Sequence, residues 1–170
     1  MIDCHDKNCN MAEEDEKFVK KVLKGDKKSF EILVNSYSKP VMSLIFKMTG
    51  DYDISLDLAQ ETFLKSWKYL KSYREGMKFS SWLFKIAANV VKDYKLKYKR
   101  NLSCENFLEQ PVYNENPEGG LYIKSLLDRL EEPYKTAIVL RFMSELTYVE
   151  ISEIMSVSPE QVKNYIFRGR

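Results

Sequence analysis

The spacing of apolar residues predicts helices along almost the whole chain. Apolar positions recur every three or four residues, as they do on one face of a helix, and no segment alternates convincingly as a strand does. Gly25 suits the left-handed position after a helix end, and it closes the first apolar stripe. That stripe consists of Phe18, Val19, Val22 and Leu23. The pattern therefore predicts an all-α protein.

Three further stripes predict the other helices of a first domain. The second helix contains Pro40, which either kinks it or splits it. Asp53 is a suitable N-cap for the third helix and Ser80 for the fourth. The buried face of the third helix is predicted to consist of Leu58, Thr62, Phe63, Trp67 and Leu70. The inward stripe of the fourth is predicted to consist of Trp82, Leu83, Ile86, Ala87, Val90 and Tyr94.

A change in composition predicts two domains. Residues 1–12 are predicted to form a disordered tail, and residues 13–100 a first helical domain. Residues 101–120 are rich in Asn, Pro, Glu and Gly, which is typical of a linker. Residues 121–170 then show four short helical patterns. We therefore expect two small helical domains joined by a flexible linker.

The end of the second domain has the pattern of a helix-turn-helix. A short helical pattern leads into the turn at residues 156–158. Ser158 is a good N-cap for the next helix, Pro159 suits its first position, and Gln161 can complete a capping box. Ser152 and Ser156 stand where such motifs usually prefer Ala and Gly.

The last predicted helix has one polar face that could read DNA. In a major groove, Lys163 and Arg168 can reach guanine edges or phosphates, and Asn164 can pair with adenine. Phe167, on the same face, can touch a thymine methyl group. An ordinary helical hairpin with a polar outer face is the alternative.

Charge and hydropathy narrow the functional classes. The formal net charge of +2 is too small to indicate nucleic-acid binding by itself. Basic residues nevertheless cluster within 85–100 and again within 163–170. Such clusters favour two surfaces for polyanions, although solvated helix faces show them too. No stretch has the length of a membrane span, and the N-terminus lacks a secretory signal, so we expect a cytoplasmic protein without membrane insertion.

Little in the sequence supports catalysis or a metal site. The single histidine, His5, lies in the predicted tail, so neither folded domain offers a Ser-His-Asp or Cys-His arrangement. Cys4 and Cys9 could join it on a zinc ion, but a fourth ligand and the usual C-x-x-C spacing are missing. A glycine-rich phosphate loop is also missing. We therefore expect a protein that is not an enzyme and that needs no cofactor.

Several segments together resemble one family, the extracytoplasmic-function (ECF) sigma factors of the sigma-70 class. In the first domain these segments are GDKKSFEILVNSY, DLAQETFLKSW and FSSWLFKIAANVVKDYKLK. In the second domain the segment is LLDRLEEPYKTAIVLRFMSELTYVEISEIMSVSPEQVKNYIFRGR. The resemblance implies a transcription initiation factor that directs RNA polymerase core to promoters and helps to open the DNA. It also implies that an anti-sigma factor is a partner.

The resemblance implies roles for individual residues. Asp57, Gln60 and Glu61 would meet the clamp coiled coil of the largest polymerase subunit. Residues that would hold the unpaired nontemplate strand of the minus-ten element are Tyr73, Arg74, Lys78, Phe79, Ser80, Asn89, Lys92 and Asp93. Residues that would read the minus-thirty-five element are Lys163, Asn164, Phe167 and Arg168. Asn89 could equally be a polar residue at a packing seam, and Trp82 is expected in the core.

Two departures and two alternatives accompany this interpretation. Leu56 stands where the family usually has a polar or acidic residue, and relatives generally continue for two or three turns past Arg170, which leaves open whether the chain is truncated there. A stand-alone helix-turn-helix regulator is the main alternative function, and it would have no need of the DLAQETF helix. A protein-interaction module held by an inhibitor is a third possibility, which fits regulation better than it replaces promoter recognition.

Overall fold

The structure is a computed structural model, and it describes residues 4–102, 125–127, 129–143 and 146–169. The regular elements in these ranges are helical, which confirms the predicted fold class. They are α1 (Cys4–Leu23), α2 (Lys27–Thr49), α3 (Tyr52–Tyr69), a 3₁₀ turn (Leu70–Ser72), α4 (Phe79–Leu102), α5 (Glu132–Met143), α6 (Tyr148–Met155) and α7 (Pro159–Gly169). None of the helices in the described ranges is long and apolar enough to cross a membrane.

Local capping residues set the ends of α2. The Asp26 side chain accepts hydrogen bonds from the backbone N–H of Lys28 at 3.1 Å and from the Ser29 hydroxyl at 2.7 Å. At the other end Gly50 takes a left-handed conformation, with φ of 77°, and its N–H donates to the Phe46 carbonyl at 2.7 Å. Pro40 lies inside α2 and does not split it, since the helix is continuous from Lys27 to Thr49.

Several predicted helix boundaries are wrong. α1 begins at Cys4, so the prediction of a disordered tail fails for residues 4–12. The N-cap of α3 is Asp51, two residues before the predicted Asp53, and its carboxylate accepts from the Ile54 N–H at 2.9 Å. Because α4 already begins at Phe79, Ser80 lies in its first turn and is not its cap. The predicted linker lies outside the described residues from position 103 onwards.

α2 is the central helix of the first domain. It packs against α1, α3 and α4, and α3 also packs against α4. Val41, Ile45 and Leu83 are fully buried where these helices meet. Trp82 is also buried, as expected, whereas Trp67 was predicted to be buried and is 42% exposed.

The second domain packs directly on the first. Within it, α5, α6 and α7 contact one another around Val139, Leu140 and Ile151, all fully buried. Across the domain boundary, α5 contacts α2 and α6 contacts α4. The buried apolar residues of both domains consequently form one contiguous cluster. The flexible linker predicted between the domains did not indicate this close packing.

α4 has two apolar stripes, and they serve different domains. The first consists of Leu83, Ala87 and Val90, as predicted, and a second consists of Phe84, Ala88 and Val91, which are also buried. The offset of one residue turns the second stripe by about 100° around the helix axis. At the two ends of the second stripe, Ser81 and Lys95 contact the second domain at Glu150 and Glu132. The second stripe therefore faces the second domain.

Candidate nucleic-acid and polymerase interfaces

The helix-turn-helix is formed by α6 and α7, and side chains cap both helices. Thr147 and Glu150 form a reciprocal capping box at the start of α6. The start of α7 has the predicted box: the Ser158 N–H donates to Gln161 Oε1 at 3.0 Å, and the Gln161 N–H donates to Ser158 Oγ at 3.2 Å. These reciprocal bonds fix the beginning of the candidate recognition helix.

The turn between α6 and α7 forms in spite of its two serines. Ser156 takes the left-handed conformation that glycine usually provides, with φ of 56° and ψ of 44°. Ser152 is buried, and its hydroxyl donates to the Val149 carbonyl at 2.7 Å, so this side chain has no unsatisfied donor. Both departures from the usual motif are therefore compatible with its geometry.

The outer face of α7 is free of the protein core, as predicted. Val162 and Ile166 are buried against the rest of the domain. Gly169 approaches α5 so closely that a Cβ there would lie 2.6 Å from Ile138 Cδ1. The predicted reading residues Lys163, Asn164, Phe167 and Arg168 are all exposed, Phe167 by 80%.

The predicted strand-binding loop rests on a cluster of aromatic rings. The ring of Tyr73 lies edge-on to Phe79 and Trp82, with centroids 6.0 Å and 5.8 Å away. The Tyr73 hydroxyl donates to the Met77 carbonyl, and Gly76 takes a positive φ of 83°, so the loop turns back on itself. Arg74 is exposed and Tyr73 is half-buried, which leaves both accessible from solvent.

Phe79 does not lie where its predicted role requires. It is only 2% exposed, and it packs between Tyr37 and Trp82, with ring centroids 5.5 Å and 5.6 Å away. A base cannot stack on a ring that is covered on this scale, so the prediction of a direct base contact is wrong for Phe79 in this structure. The Phe79 ring instead packs against the ring of Tyr73.

A buried polar network supports the same loop. The Tyr37 hydroxyl donates to Asp15 Oδ2 at 2.5 Å. Asp15 and Tyr37 are 7% and 4% exposed. Burial raises the pKa of both groups, most strongly for Tyr37. This bond ties α1 to α2 next to Phe79, and Ser80, a predicted minus-ten residue, follows Phe79 and is half-buried.

The outer face of α4 carries the other predicted minus-ten residues. Asn89, Lys92 and Asp93 are all exposed, so Asn89 is not at a packing seam. Lys85 lies seven residues before Lys92, hence on the same face and about 10 Å away along the axis. Lys78 stands just before the first residue of α4. The face is therefore basic, with one amide and one carboxylate among the lysines.

The predicted polymerase-binding residues share one face of α3. Asp57, Gln60 and Glu61 are exposed, and their spacing of three and four residues brings them together. The Lys65 Nζ atom lies 2.9 Å from Glu61 Oε1 and 3.7 Å from Asp93 Oδ2. The hydrogen bond with Glu61 raises the pKa of Lys65, so the lysine stays protonated between the two carboxylates.

Sequence reasoning missed an apolar cleft beside this polar face. The cleft measures about 410 Å³ and lies between α2 and α3. Its lining residues are Phe30, Val34, Gln60, Phe63, Leu64 and Trp67. Leu64 is 71% exposed, and Trp67 packs edge-on against Phe30 with ring centroids 4.8 Å apart. Because Gln60 belongs to both the polar face and the cleft, the two form a single surface, which we call the α3 surface.

One carboxylate joins the helix-turn-helix to the strand-binding loop. Glu150 Oε1 accepts a hydrogen bond from Ser81 Oγ at 3.0 Å and lies 3.2 Å from Lys78 Nζ. Burial acts to raise the pKa of Glu150, but hydrogen bonds from Thr147, Lys78 and Ser81 together lower it. Lys78, a predicted minus-ten residue, is therefore already paired with a residue of the other domain.

Comparisons with known proteins agree with the sequence resemblance. The family model described as Sigma-70 region 2 matches residues 33–101, and the family model described as Sigma-70, region 4 matches residues 120–170. The ECF RNA polymerase sigma-E factor of Haemophilus influenzae is 33% identical over 179 residues, with 94% of each chain covered. The same factor of Salmonella typhi is 33% identical over 173 residues, which cover 92% of this chain and 90% of the relative.

Solved structures share the fold at lower identity. CnrH, in complex with the cytosolic domain of CnrY, matches with a TM-score of 0.72 and 20% identity, over 92% of both chains. The sigma factor RpoE of Bartonella quintana, in complex with the anti-sigma factor NepR, matches with a TM-score of 0.76 and 23% identity, over 84% of this chain and 92% of that one. On the sequence relationship, which spans nearly the whole length, the chain belongs to the ECF sigma factors of RNA polymerase.

Proposed function

We propose that this sigma factor uses three separate surfaces to direct RNA polymerase core to promoters and to help open the DNA. The α3 surface would bind polymerase, the loop before α4 and the outer face of α4 would hold the minus-ten strand, and α7 would read the minus-thirty-five element. The chemistry of RNA synthesis would remain with polymerase. The observation that carries this proposal is the presence in one chain of a helix-turn-helix and of the α3 surface.

The α3 surface suits a helical, basic partner such as the polymerase clamp coiled coil. Asp57 and Glu61 supply negative charge, which steers and orients a basic partner. The apolar cleft beside them offers Leu64 and Trp67, both substantially exposed in the free chain. An apolar centre with a polar rim is the usual anatomy of a protein interface. Leu56, also exposed, would extend the apolar part where family members usually have a polar residue.

The minus-ten surface combines the groups that bind a single strand. Tyr73 offers a ring whose position is fixed by the aromatic cluster beneath it. Unpaired bases stack on such rings, and their edges hydrogen-bond to amides such as Asn89. Lys92 is exposed and Lys85 is half-buried on the same face, at a spacing suited to following a phosphate backbone. Phe79 is left out of this surface because it is buried.

The minus-thirty-five surface is the outer face of α7. Lys163 lies near the start of the helix and Arg168 near its end, more than a turn later. A recognition helix contacts bases mainly through its N-terminal residues. Lys163 would therefore reach a base edge, whereas Arg168 would reach a base or a flanking phosphate.

A stand-alone DNA-binding regulator was the alternative, and its helix-turn-helix would look the same, but the sequence relationship to ECF sigma factors does not favour it. It would bind duplex DNA without polymerase, and it would have no use for an exposed apolar cleft next to a carboxylate face. An anti-sigma factor is a proposed further partner. The Bartonella relative of known structure was solved with such a partner.

The discriminating experiment is reconstitution with polymerase. The chain should co-purify with core polymerase and support run-off transcription from a matched promoter. Gln60→Ala combined with Glu61→Lys should weaken core binding, because both residues are exposed on the α3 surface. Helical circular dichroism should be retained. Unchanged affinity for core would exclude the α3 surface, and duplex binding without any requirement for core would favour the stand-alone regulator.

The minus-ten assignment needs its own measurement. Asn89→Ala should reduce open-complex formation more than initial duplex binding, because the side chain is exposed and contributes nothing to the core. Permanganate reactivity at the melted bases would report opening directly. Normal reactivity together with normal base preference in this variant would remove Asn89 from the strand-binding surface.

A further inference from the structure

The two oxygens of the Glu150 carboxylate contact different domains. Oε2 accepts from the Thr147 N–H and from its hydroxyl, each at 2.8 Å, which completes the cap of α6. Oε1 accepts from Ser81 Oγ at 3.0 Å and pairs with Lys78 at 3.2 Å, both in the first domain. The cap requires only one oxygen. The contact with the first domain is therefore an additional property of this side chain.

The Glu150 carboxylate binds a lysine and a hydroxyl, which are groups that can also bind a DNA phosphate. A carboxylate and a phosphate both present anionic oxygens that a lysine ammonium and a hydroxyl can bind. Lys78 precedes α4 at the end of the strand-binding loop, and its amine is committed to Glu150. Ser81 is 5% exposed, and its hydroxyl holds the carboxylate in place. The contact is thus charge-assisted and is shielded on the side of Glu150, whose side chain is 16% exposed, whereas the Lys78 side chain is 42% exposed.

We propose that Glu150 acts as an internal substitute for a phosphate of the nontemplate strand, occupying Lys78 in the free protein until the strand replaces it. The inference rests on the proposed function of the minus-ten surface and adds its regulation. The free protein would bind single-stranded DNA weakly, because the first lysine at the start of α4 is neutralised from the other domain.

Promoter geometry requires the contact to break. Minus-ten and minus-thirty-five elements are separated by roughly 25 base pairs, or about 85 Å of duplex at 3.4 Å per base pair. In the structure α6 of the helix-turn-helix lies within hydrogen-bonding distance of the start of α4. The two surfaces cannot reach both elements while Glu150 stays on Lys78, so opening and strand binding are linked.

The test compares two charge-removing variants on the same helix. Glu150→Gln removes the charge but keeps an oxygen for the cap of α6, and Glu153→Gln removes an equal charge from an exposed position three residues later. Each full-length variant is titrated with fluorescent single-stranded DNA of random sequence, by anisotropy at several salt concentrations. We expect Glu150→Gln to bind several-fold more tightly than both the wild type and Glu153→Gln. Its salt dependence should steepen by about 0.7 in logarithmic slope for one additional phosphate contact.

Lys78→Ala supplies the second half of the test. Added to Glu150→Gln, it should abolish the gain, because the gained contact is made by Lys78. Helicity and thermal midpoint must match between Glu150→Gln and Glu153→Gln. If Glu150→Gln does not fold, Ser81→Ala gives the same test from the first domain, with a smaller gain, because it loosens the carboxylate and leaves the cap intact.

The possible failures are distinguishable. Equal affinities and slopes for wild type, Glu150→Gln and Glu153→Gln, with clear DNA binding by all three, would overturn the substitution by Glu150 and leave the minus-ten surface in place. A gain that survives Lys78→Ala would overturn it too. Absence of DNA binding by every variant would overturn the inference together with the assignment of the strand-binding surface.

Discussion

Leu64→Ala should weaken the binding of core polymerase without weakening the fold. Leu64 is 71% exposed in the free chain and lines the cleft of the α3 surface. Complete burial of an exposed leucine contributes about 1.5–3 kcal/mol. Only the exposed part of Leu64 can become buried on binding, and alanine keeps one of its side-chain carbons. The expected loss of binding free energy is therefore about 1–1.5 kcal/mol, which raises the dissociation constant about 5- to 10-fold.

The assay for Leu64→Ala is a fluorescence titration of labelled sigma factor with core polymerase. Ile32→Ala is the matched control, because Ile32 is a 44% exposed aliphatic residue of the same domain that does not line the cleft. The control should bind core as the wild type does, and both variants should keep the wild-type thermal midpoint within the small range expected at surface sites. If Leu64→Ala bound core as tightly as Ile32→Ala, the cleft would not be part of the polymerase interface.

Three further predictions concern α7, the turn before it, and the buried carboxyl of α1. In binding assays with randomised elements, Lys163→Ala should relax base preference at one minus-thirty-five position by about 1–3 kcal/mol. If Arg168 binds a phosphate, Arg168→Ala should instead lower affinity for all sequences and make the slope of log affinity against log salt concentration shallower by about one unit. Ser156→Gly should stabilise the chain by about 1 kcal/mol in denaturant titration, because glycine relieves the positive φ of 56°; no gain would mean that the turn is unstrained. Burial raises the pKa of Asp15 above 3.8, so its contribution to stability is lost as pH rises through that raised pKa, and Asp15→Asn should flatten this part of the pH profile of the thermal midpoint.

The sequence was a good guide where local interactions decide the structure. The capping box of Ser158 and Gln161 and the exposed face of α7 follow from residues within a few positions of each other. The same local rules placed the start of α3 two residues too late, at Asp53, because Asp is a suitable cap at either position and the side chain that accepts from the Ile54 N–H is that of Asp51.

Contacts between distant parts of the chain were beyond such rules. The second stripe of α4 was present in the sequence as Phe84, Ala88 and Val91, but its partner lies far along the chain: Ser81 and Glu150 are 69 positions apart. Trp67 was predicted to be buried because helical periodicity cannot distinguish a residue that faces the core from one that lines an exposed apolar cleft. Phe79 shows the opposite error. The family resemblance implied that it contacts DNA, but its side chain is buried in the core.

The contiguous apolar cluster makes the two domains one cooperative unit. Two domains joined only by a flexible linker would unfold separately. Because these two domains share one buried cluster, we expect them to unfold together in one thermal transition. Separation of the domains would expose Phe84, Ala88 and Val91 to water, which would cost free energy that the packed arrangement does not. If the proposed binding of both promoter elements separates the domains, part of the binding energy of polymerase and promoter would offset this cost.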